Sequence, residues 1–356
     1  MKFLLSDDQI QLQDAVARFA ADTCAAGARR SAFEGETGFD AAFWDGLMAL
    51  GAGAVSLPLE HGGLGLELLD LALIVEAIGY EAGPGPFLGH VLAGHALSRW
   101  GSPTQQAEWI PKLASGATIA TVALVEAGSE TSHYRWITDL DPASLNGQKA
   151  QSPNAELAEL LIVGLRDGGL ALVAKGAEVG VETCDDIDRT RRLSNVTFKN
   201  AAAELLPGGR VDDLLDAARV LVAADAFGGA RRCLDMSTAY AKEREQFGRA
   251  IGSFQAVKHQ LANLAVSVEP ARGLYWYAAH AYDRGLEDRA KMASLAKAHL
   301  ADVFMQAARV MIEVHGGLGY TWEHDAHIWF RRAMFDFAWL GTPQVHRARS
   351  AQLSGW

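Results

Sequence analysis

Apolar positions in the first third of the chain recur at helical spacing. Leu12, Val16 and Phe19 follow Ser6-Asp7-Asp8-Gln9, which fits a capping box with Gln9 placed to reach back to the cap. A second helical run at 43–50 leads into SLPLEHGGLGLE, where Pro58 and the glycines break regular structure. Residues 69–80 are again helical in pattern and end at GPGPF (83–87); HVLAGHALSRWG and TQQAEWIPKLASG, the latter after Ser102-Pro103, predict two more short helices. From about 117 the runs become short and rich in β-branched residues (TIATVALV, ELLIVGL, LALVAKG, LSNVTFKN), separated by turn residues such as LNGQ and RDGG. That texture predicts a small antiparallel β domain. Beyond Val211, long Ala/Leu-rich segments at 212–242, 253–284 and 289–315 predict a bundle of long antiparallel helices. The expectation is an α+β protein in three zones: a helical 1–116, a β-rich 117–207 and a helical bundle over 208–356.

Composition narrows the functional classes. A chain of 356 residues exceeds the usual single-core range, so two or three cores are expected, and 49% hydrophobic residues supply them. A net charge of −11 without a dense basic stripe argues against nucleic acid as a partner. Cys24, Cys184 and Cys233 lie far apart with no CxxC, which suggests a reducing compartment. The start MKFLLSDDQ turns acidic too soon for a signal peptide, and no apolar run reaches membrane-spanning length, so the expected location is cytoplasmic. The histidines, including His315, His324 and His327, lack the spacing of a metal site.

Four segments carry a resemblance. LEHGGLGL (59–66), GSPTQQAEWIPKLASG (101–116), EREQFGRAIGSFQAVKHQLA (243–262) and VHGGLGYTWEHDAHIWFRRA (314–333) together resemble the acyl-CoA dehydrogenases, in family order and nearly end to end. The YTWEHDAHIWFRRA version and the short length look most like bacterial subunits that act on bulky, often steroid-derived, CoA thioesters. The resemblance implies a fold of N-terminal helices, a middle β domain and a C-terminal four-helix-type bundle. It also implies a reaction: a glutamate removes the α proton of an acyl-CoA, the β hydrogen leaves as hydride to FAD, and an electron-transfer flavoprotein accepts the electrons. The base must reach the α proton, and the thioester oxygen needs donors, in this family a ribityl hydroxyl and the base residue's own backbone N–H.

The family's usual glutamate position, just before Gly341-Thr342, holds Leu340; the alternative position, just ahead of Arg219, holds Ala218. Asp225, seven residues after Ala218 and so on much the same helix face, is a candidate displaced base, with a solvated or capping aspartate as the plainer reading. The strand and loop expected against the flavin ring, ALVEAGSE, keep Glu126, Gly128 and Ser129, but Val125 stands in place of a donor threonine. Trp136-Ile137-Thr138 matches the letters of the family's ring-lining segment. Counting from the LNG turn, however, puts Gln151-Ser152-Pro153 at that position and makes the WIT a decoy.

The resemblance assigns the adenine-dinucleotide half of a neighbouring subunit's FAD to Arg244, Phe247, Gln255, Gly316 and Gly317. A guanidinium suits diphosphate oxygens and glycines admit close backbone approach. Arg244 as an exposed helix charge and Gly316-Gly317 as a helix C-cap are the structural alternatives. Thr342 and Gln344 match contacts to the chain's own flavin. The expectation is the base-lacking subunit of a heteromeric, α2β2 FAD-dependent acyl-CoA dehydrogenase, with a homologous partner supplying the glutamate. The alternatives are a self-sufficient enzyme with a displaced carboxylate, and a flavin-free acyl-CoA-binding or scaffold protein on the same fold.

Overall fold

The computed structural model describes residues 4–126 and 136–356. Six helices come first: α1 (Asp7–Thr23), α2 (Ala26–Glu34), α3 (Ala41–Ala49), α4 (Leu68–Tyr80), α5 (Phe87–Trp100) and α6 (Pro103–Ala114). Local chemistry sets their starts. Ser6 and Gln9 exchange side-chain bonds to each other's backbone N–H (3.2 and 3.0 Å), and Ser102 and Gln105 repeat the box ahead of α6, where Pro103 is the first helical residue.

Nine short strands follow: β1 (Ala120–Ala123), β2 (Val125–Glu126), β3 (Asp139–Asp141), β4 (Ser144–Pro153), β5 (Leu160–Gly164), β6 (Leu170–Ala174), β7 (Val179–Thr183), β8 (Leu193–Ala202) and β9 (Glu204–Leu206). One sheet runs β1-β5-β6-β9; the other runs β2-β4-β8-β7, with β3 paired to β4. The expectation of an all-antiparallel domain needs correction, because β1 pairs β5 in parallel, Ala120 opposite Leu160. Both strands are buried along their length, as parallel pairs require. Leu145, Leu161, Val163, Val173, Val196 and Phe198 belong to a separate core between the sheets.

The C-terminal bundle consists of α7 (Val211–Glu243), α8 (Gln255–Val268), α9 (Arg272–Asp283), α10 (Arg289–His315), α11 (Ala326–Ala338) and α12 (Pro343–Leu353). The predicted single helix over 253–284 is divided in two. Pro270 sits in a tight turn, Glu269–Ala271, because it lacks the N–H an unbroken helix would need there. Between α7 and α8 a hairpin, β10 (Glu245–Gln246) and β11 (Arg249–Ala250), projects outward. Helices α4 and α7 approach so closely that a Cβ at Gly79 would lie 2.4 Å from the Asp225 carbonyl oxygen, and one at Gly228 2.1 Å from that of Glu76. This contact welds the N-terminal helices to the bundle. No helix among the described residues is long and apolar enough to cross a membrane.

Candidate functional site

Two regions at opposite ends of α10 carry the candidate residues. The first is the loop between α11 and α12. Trp339 ends α11, Leu340 adopts a left-handed backbone (φ 60°) while only 1% exposed, and Gly341 (φ 107°) leads to Thr342 at the start of α12. A leucine in that conformation costs roughly 1–2 kcal/mol, so the surroundings must impose it. They do so from three sides. The fully buried Lys297 of α10 donates to the carbonyls of Asp336 and Gly341, the latter at 3.3 Å. The His346 ring of α12 lies against Gly341, its Nε2 3.1 Å from where a Cβ would stand, and Trp339 Nε1 donates to the Gln151 carbonyl at 3.0 Å. The Leu340 N–H has no hydrogen-bond partner among the described residues.

Burial depresses the Lys297 ammonium to about 8 and the His346 imidazole to about 2, with nearby Arg219 and Lys297 adding to the His346 shift. His346 is therefore neutral and able to donate. Sequence reasoning passed over this clamp. The signal was a lysine in the apolar phase of its helix, with Ala293, Ala296, Leu300 and Ala301 buried around it.

The displaced-base expectation fails on geometry. Asp225 is fully buried and receives both Arg191 guanidinium nitrogens at 2.9 and 3.1 Å, with Arg332 Nη1 at 3.4 Å from each of its oxygens. Burial alone would raise its pKa; the two guanidiniums reverse that and hold it below the ordinary value. It is neither solvated nor a cap, and it is not free to take a substrate proton. Its neighbour Asp336 is pushed well up, by burial first and then by the Asp225 charge, and Arg191 Nη1 stands 3.6 Å from its Oδ1. Arg332 completes the cluster through Asp188 Oδ2 (2.5 Å), Thr190 Oγ1 (2.6 Å) and the Gly83 carbonyl (3.0 Å). The cluster ties α7, α11, the loop after α4 and the loop before β8 together. At Ala218, also fully buried, no proton acceptor is possible.

A cavity of about 560 Å³ lies against this loop, lined among others by Gln151, Met305, Phe330, Phe335 and Phe337, with Asp186 at its edge. It shares Ile187, Arg309, Phe330 and Met334 with a second space of about 590 Å³ between α10 and α11. Gln151 (φ 53°) borders the cavity directly. Trp136 does not; its Nε1 donates to the Leu124 carbonyl at 2.9 Å and its ring lies against Gly164. Thr138 and Lys149 bond Glu126, a buried ion pair with Lys149 Nζ at 2.5 Å from the carboxylate. Glu126 is thus tied into the β domain, Val125 is buried in β2, and Gly128 and Ser129 fall outside the described residues. Gln151 offers the cavity no flat ring. Ser152 Oγ and both polar atoms of the Asn154 side chain, next along β4 and just past its end, are buried with no partner among the described residues.

The other region gathers where α7 and α10 end and α8 begins. Arg244 caps α7, is exposed, and its side chain has no partner among the described residues. Phe247, at the hairpin tip with φ 56°, is 93% exposed. Gln255 opens α8, whose N-terminus has no side-chain cap, so its first N–H groups remain to be satisfied. Gly316 ends α10 with φ 59° and ψ −136°, a conformation suited to glycine, and a Cβ at Gly316 or Gly317 would meet nothing within 4 Å. Helix α8 and the end of α10 are joined by Gln260, which donates to Glu313 at 2.7 Å. An uncapped helix N-terminus, an unpaired guanidinium and an open glycine turn on one surface fit a diphosphate.

Thr342 and Gln344 sit apart from these, at the similarly uncapped start of α12, with Gln344 exposed. Lys297 and His315 are separated by 18 residues of α10, roughly 27 Å along the axis.

Comparison with known proteins gives this geometry a context. Family models described as the acyl-CoA dehydrogenase N-terminal and C-terminal domains match residues 6–117 and 209–354. The acyl-CoA dehydrogenase IpdE2 of Mycolicibacterium smegmatis is 33% identical over 97% of this chain and 98% of its own length. Among solved structures, a variant of the Tcur3481–Tcur3483 steroid ACAD aligns with a TM-score of 0.92 at 29% identity, over 98% of both chains. The ChsE4–ChsE5 complex of Mycobacterium tuberculosis aligns with a TM-score of 0.88 at 25% identity, over 100% of this chain and 99% of that chain.

Proposed function

We propose that this chain, which belongs to the acyl-CoA dehydrogenase family, is the base-lacking subunit of a heteromeric enzyme that converts an acyl-CoA to a 2,3-enoyl-CoA. Its cofactor is FAD. The observation that carries the reading is the contrast along α10: an open diphosphate grip at one end and, about 27 Å away, a base loop with leucine where the carboxylate belongs. One molecule of cofactor is then gripped by this chain while a homologous partner supplies the ring pocket and the glutamate. The assembly is α2β2, and the electrons pass to an electron-transfer flavoprotein. Two of the similar structures are of paired proteins by their descriptions, and one of these is described as a steroid enzyme, which supports a bulky, ring-containing CoA thioester as substrate.

When bound, FAD supplies the hydride acceptor. Arg244 would pair its guanidinium with the diphosphate, with the N–H groups opening α8, the Gly316-Gly317 turn and the Gln255 amide available to the same anion. Phe247, exposed at the hairpin tip, would offer an apolar face to the nucleotide. On this chain the Leu340 N–H retains the donor half of a thioester site, but no side chain at Leu340, Ala218 or Asp225 accepts the α proton.

The test is the visible spectrum of the chain made alone and of the chain made with a homologous subunit that carries the glutamate, each before and after acyl-CoA. The chain alone is expected to be colourless and the pair yellow, with bleaching on substrate. A yellow single chain whose flavin band bleaches with acyl-CoA overturns the reading.

A further inference from the structure

The grip described above has a built support that the family contacts do not include. Tyr240, one turn before Arg244, stacks on His315 with ring centroids 4.3 Å apart and planes inclined by 24°. His315 in turn faces His324 at 4.5 Å. The column therefore runs from the end of α7, across the end of α10, to the segment after the glycine turn. Each ring is also fixed by its own backbone neighbourhood. The Tyr240 carbonyl accepts the Arg244 N–H at 2.8 Å; His315 Nδ1 is 2.7 Å from the Met311 carbonyl; His324 Nδ1 accepts the Ala326 N–H at 3.1 Å. Gly316 and Gly317 follow His315 directly and have no packing of their own.

We propose that Tyr240, His315 and His324 form a positioning stack that holds Arg244 and Gly316-Gly317 as one unit for the adenine-diphosphate half of a dinucleotide. The inference rests on the shared-cofactor reading above. The stack requires neutral histidines, since two imidazolium rings 4.5 Å apart repel each other. The groups facing it do not offset that repulsion. Asp325 beside His324 is already engaged by Arg30 at 2.6 Å and by Arg29 at 3.4 Å, and His315 has only the Met311 carbonyl. Burial lowers both histidines below their ordinary value, and His315 lowers His324 further. Acidification below about pH 6.5 therefore works against the stack and weakens the grip.

The experiment measures ADP-ribose binding to the full chain by calorimetry at pH 7.5 and 5.5; its diphosphate keeps its charge over that range. The wild-type chain should bind at pH 7.5 and several-fold more weakly at pH 5.5. His315→Ala should weaken binding at pH 7.5 about three- to tenfold, the value of an aromatic pair. His315→Phe, which keeps a ring but cannot take a proton, should bind like the wild type at pH 7.5 and lose most of the pH response. Should His315→Phe show the full wild-type loss at pH 5.5, or His315→Ala bind normally, the stack has no positioning role and the shared-cofactor reading survives. Absence of wild-type binding at both pH values removes the grip itself and this inference with it. Circular dichroism of each variant confirms folding, and His315→Phe carries the test if His315→Ala does not fold.

Discussion

The two ends of α10 obey opposite rules. Around Leu340 the cations are buried and committed: Lys297 to two carbonyls, Arg191 and Arg332 to Asp225. Around Gly316 the corresponding groups are exposed and uncommitted, with Arg244 unpaired and the α8 N-terminus uncapped. A buried polar group must be paired within the chain or pay for desolvation, whereas an exposed donor set can wait for another molecule. The first end is consequently a structural keystone, and the second is, on the proposed reading, half of a binding site. The ways to break this contrast follow in order of expected size.

Removing the keystone should cost most. Arg332→Ala leaves the buried Asp188 without its guanidinium while Asp225 keeps Arg191, and leaving such a charge uncompensated costs about 3–5 kcal/mol. Denaturant unfolding would read it. A loss below about 1 kcal/mol, the range of exposed pairs, would mean that water reaches the cluster. At the other end, Arg244→Ala should leave folding intact and weaken FAD retention in the assembled complex by about 1.5–3 kcal/mol, the value of a hydrogen bond to a charged group. Equal FAD content in wild-type and variant complexes would remove Arg244 from the grip.

The histidine clamp gives a smaller effect with a definite sign. His346 has a folded-state value of about 2 against 6.5 in the unfolded chain. Between those values the unfolded state binds the extra proton, so stability declines as pH falls below 6.5. From pH 6.5 to 5 this amounts to about 2 kcal/mol at most, at roughly 1.4 kcal/mol per unit. His346→Phe should flatten that slope relative to the wild type, measured as Tm against pH. An unchanged slope would assign the acid sensitivity to other buried imidazoles, among them His90 and His95, each depressed by burial to about 4.

Much of the architecture was legible from local chemistry, because caps and prolines act within a few residues. Ser6 with Gln9 and Ser102 with Gln105 start helices as their spacing predicts, while Pro270 cuts a helix that apolar periodicity alone would have run through. Leu340 and Ala218, at the positions that the resemblance gives the base, are likewise read as single letters in a recognisable frame. What stayed hidden depends on distant partners. Asp225 reads as a free carboxylate until Arg191 and Arg332, 34 and 107 residues away, arrive beside it. The parallel pairing of β1 with β5 is hidden for the same reason, as its partner strand lies some 40 residues on and no turn chemistry links the two.

The last prediction expects no effect, and it tests the comparison most directly. Leu340→Glu places a carboxylate at a backbone position that already exists, with the loop held by Lys297 and Trp339. If the missing base were the sole defect, the variant should gain the roughly 10²–10⁴-fold in rate that a positioned base provides. The cavity beside the loop argues otherwise. Gln151 presents no ring there, Val125 is buried with no donor to offer, and Trp339 is drawn onto the Gln151 carbonyl instead of leaving that edge open. The single chain carrying Leu340→Glu should therefore remain inactive toward acyl-CoA with an artificial electron acceptor. Turnover by that variant alone would show that this chain holds a working flavin ring site, and the division of labour between the two ends of α10 would have to be abandoned.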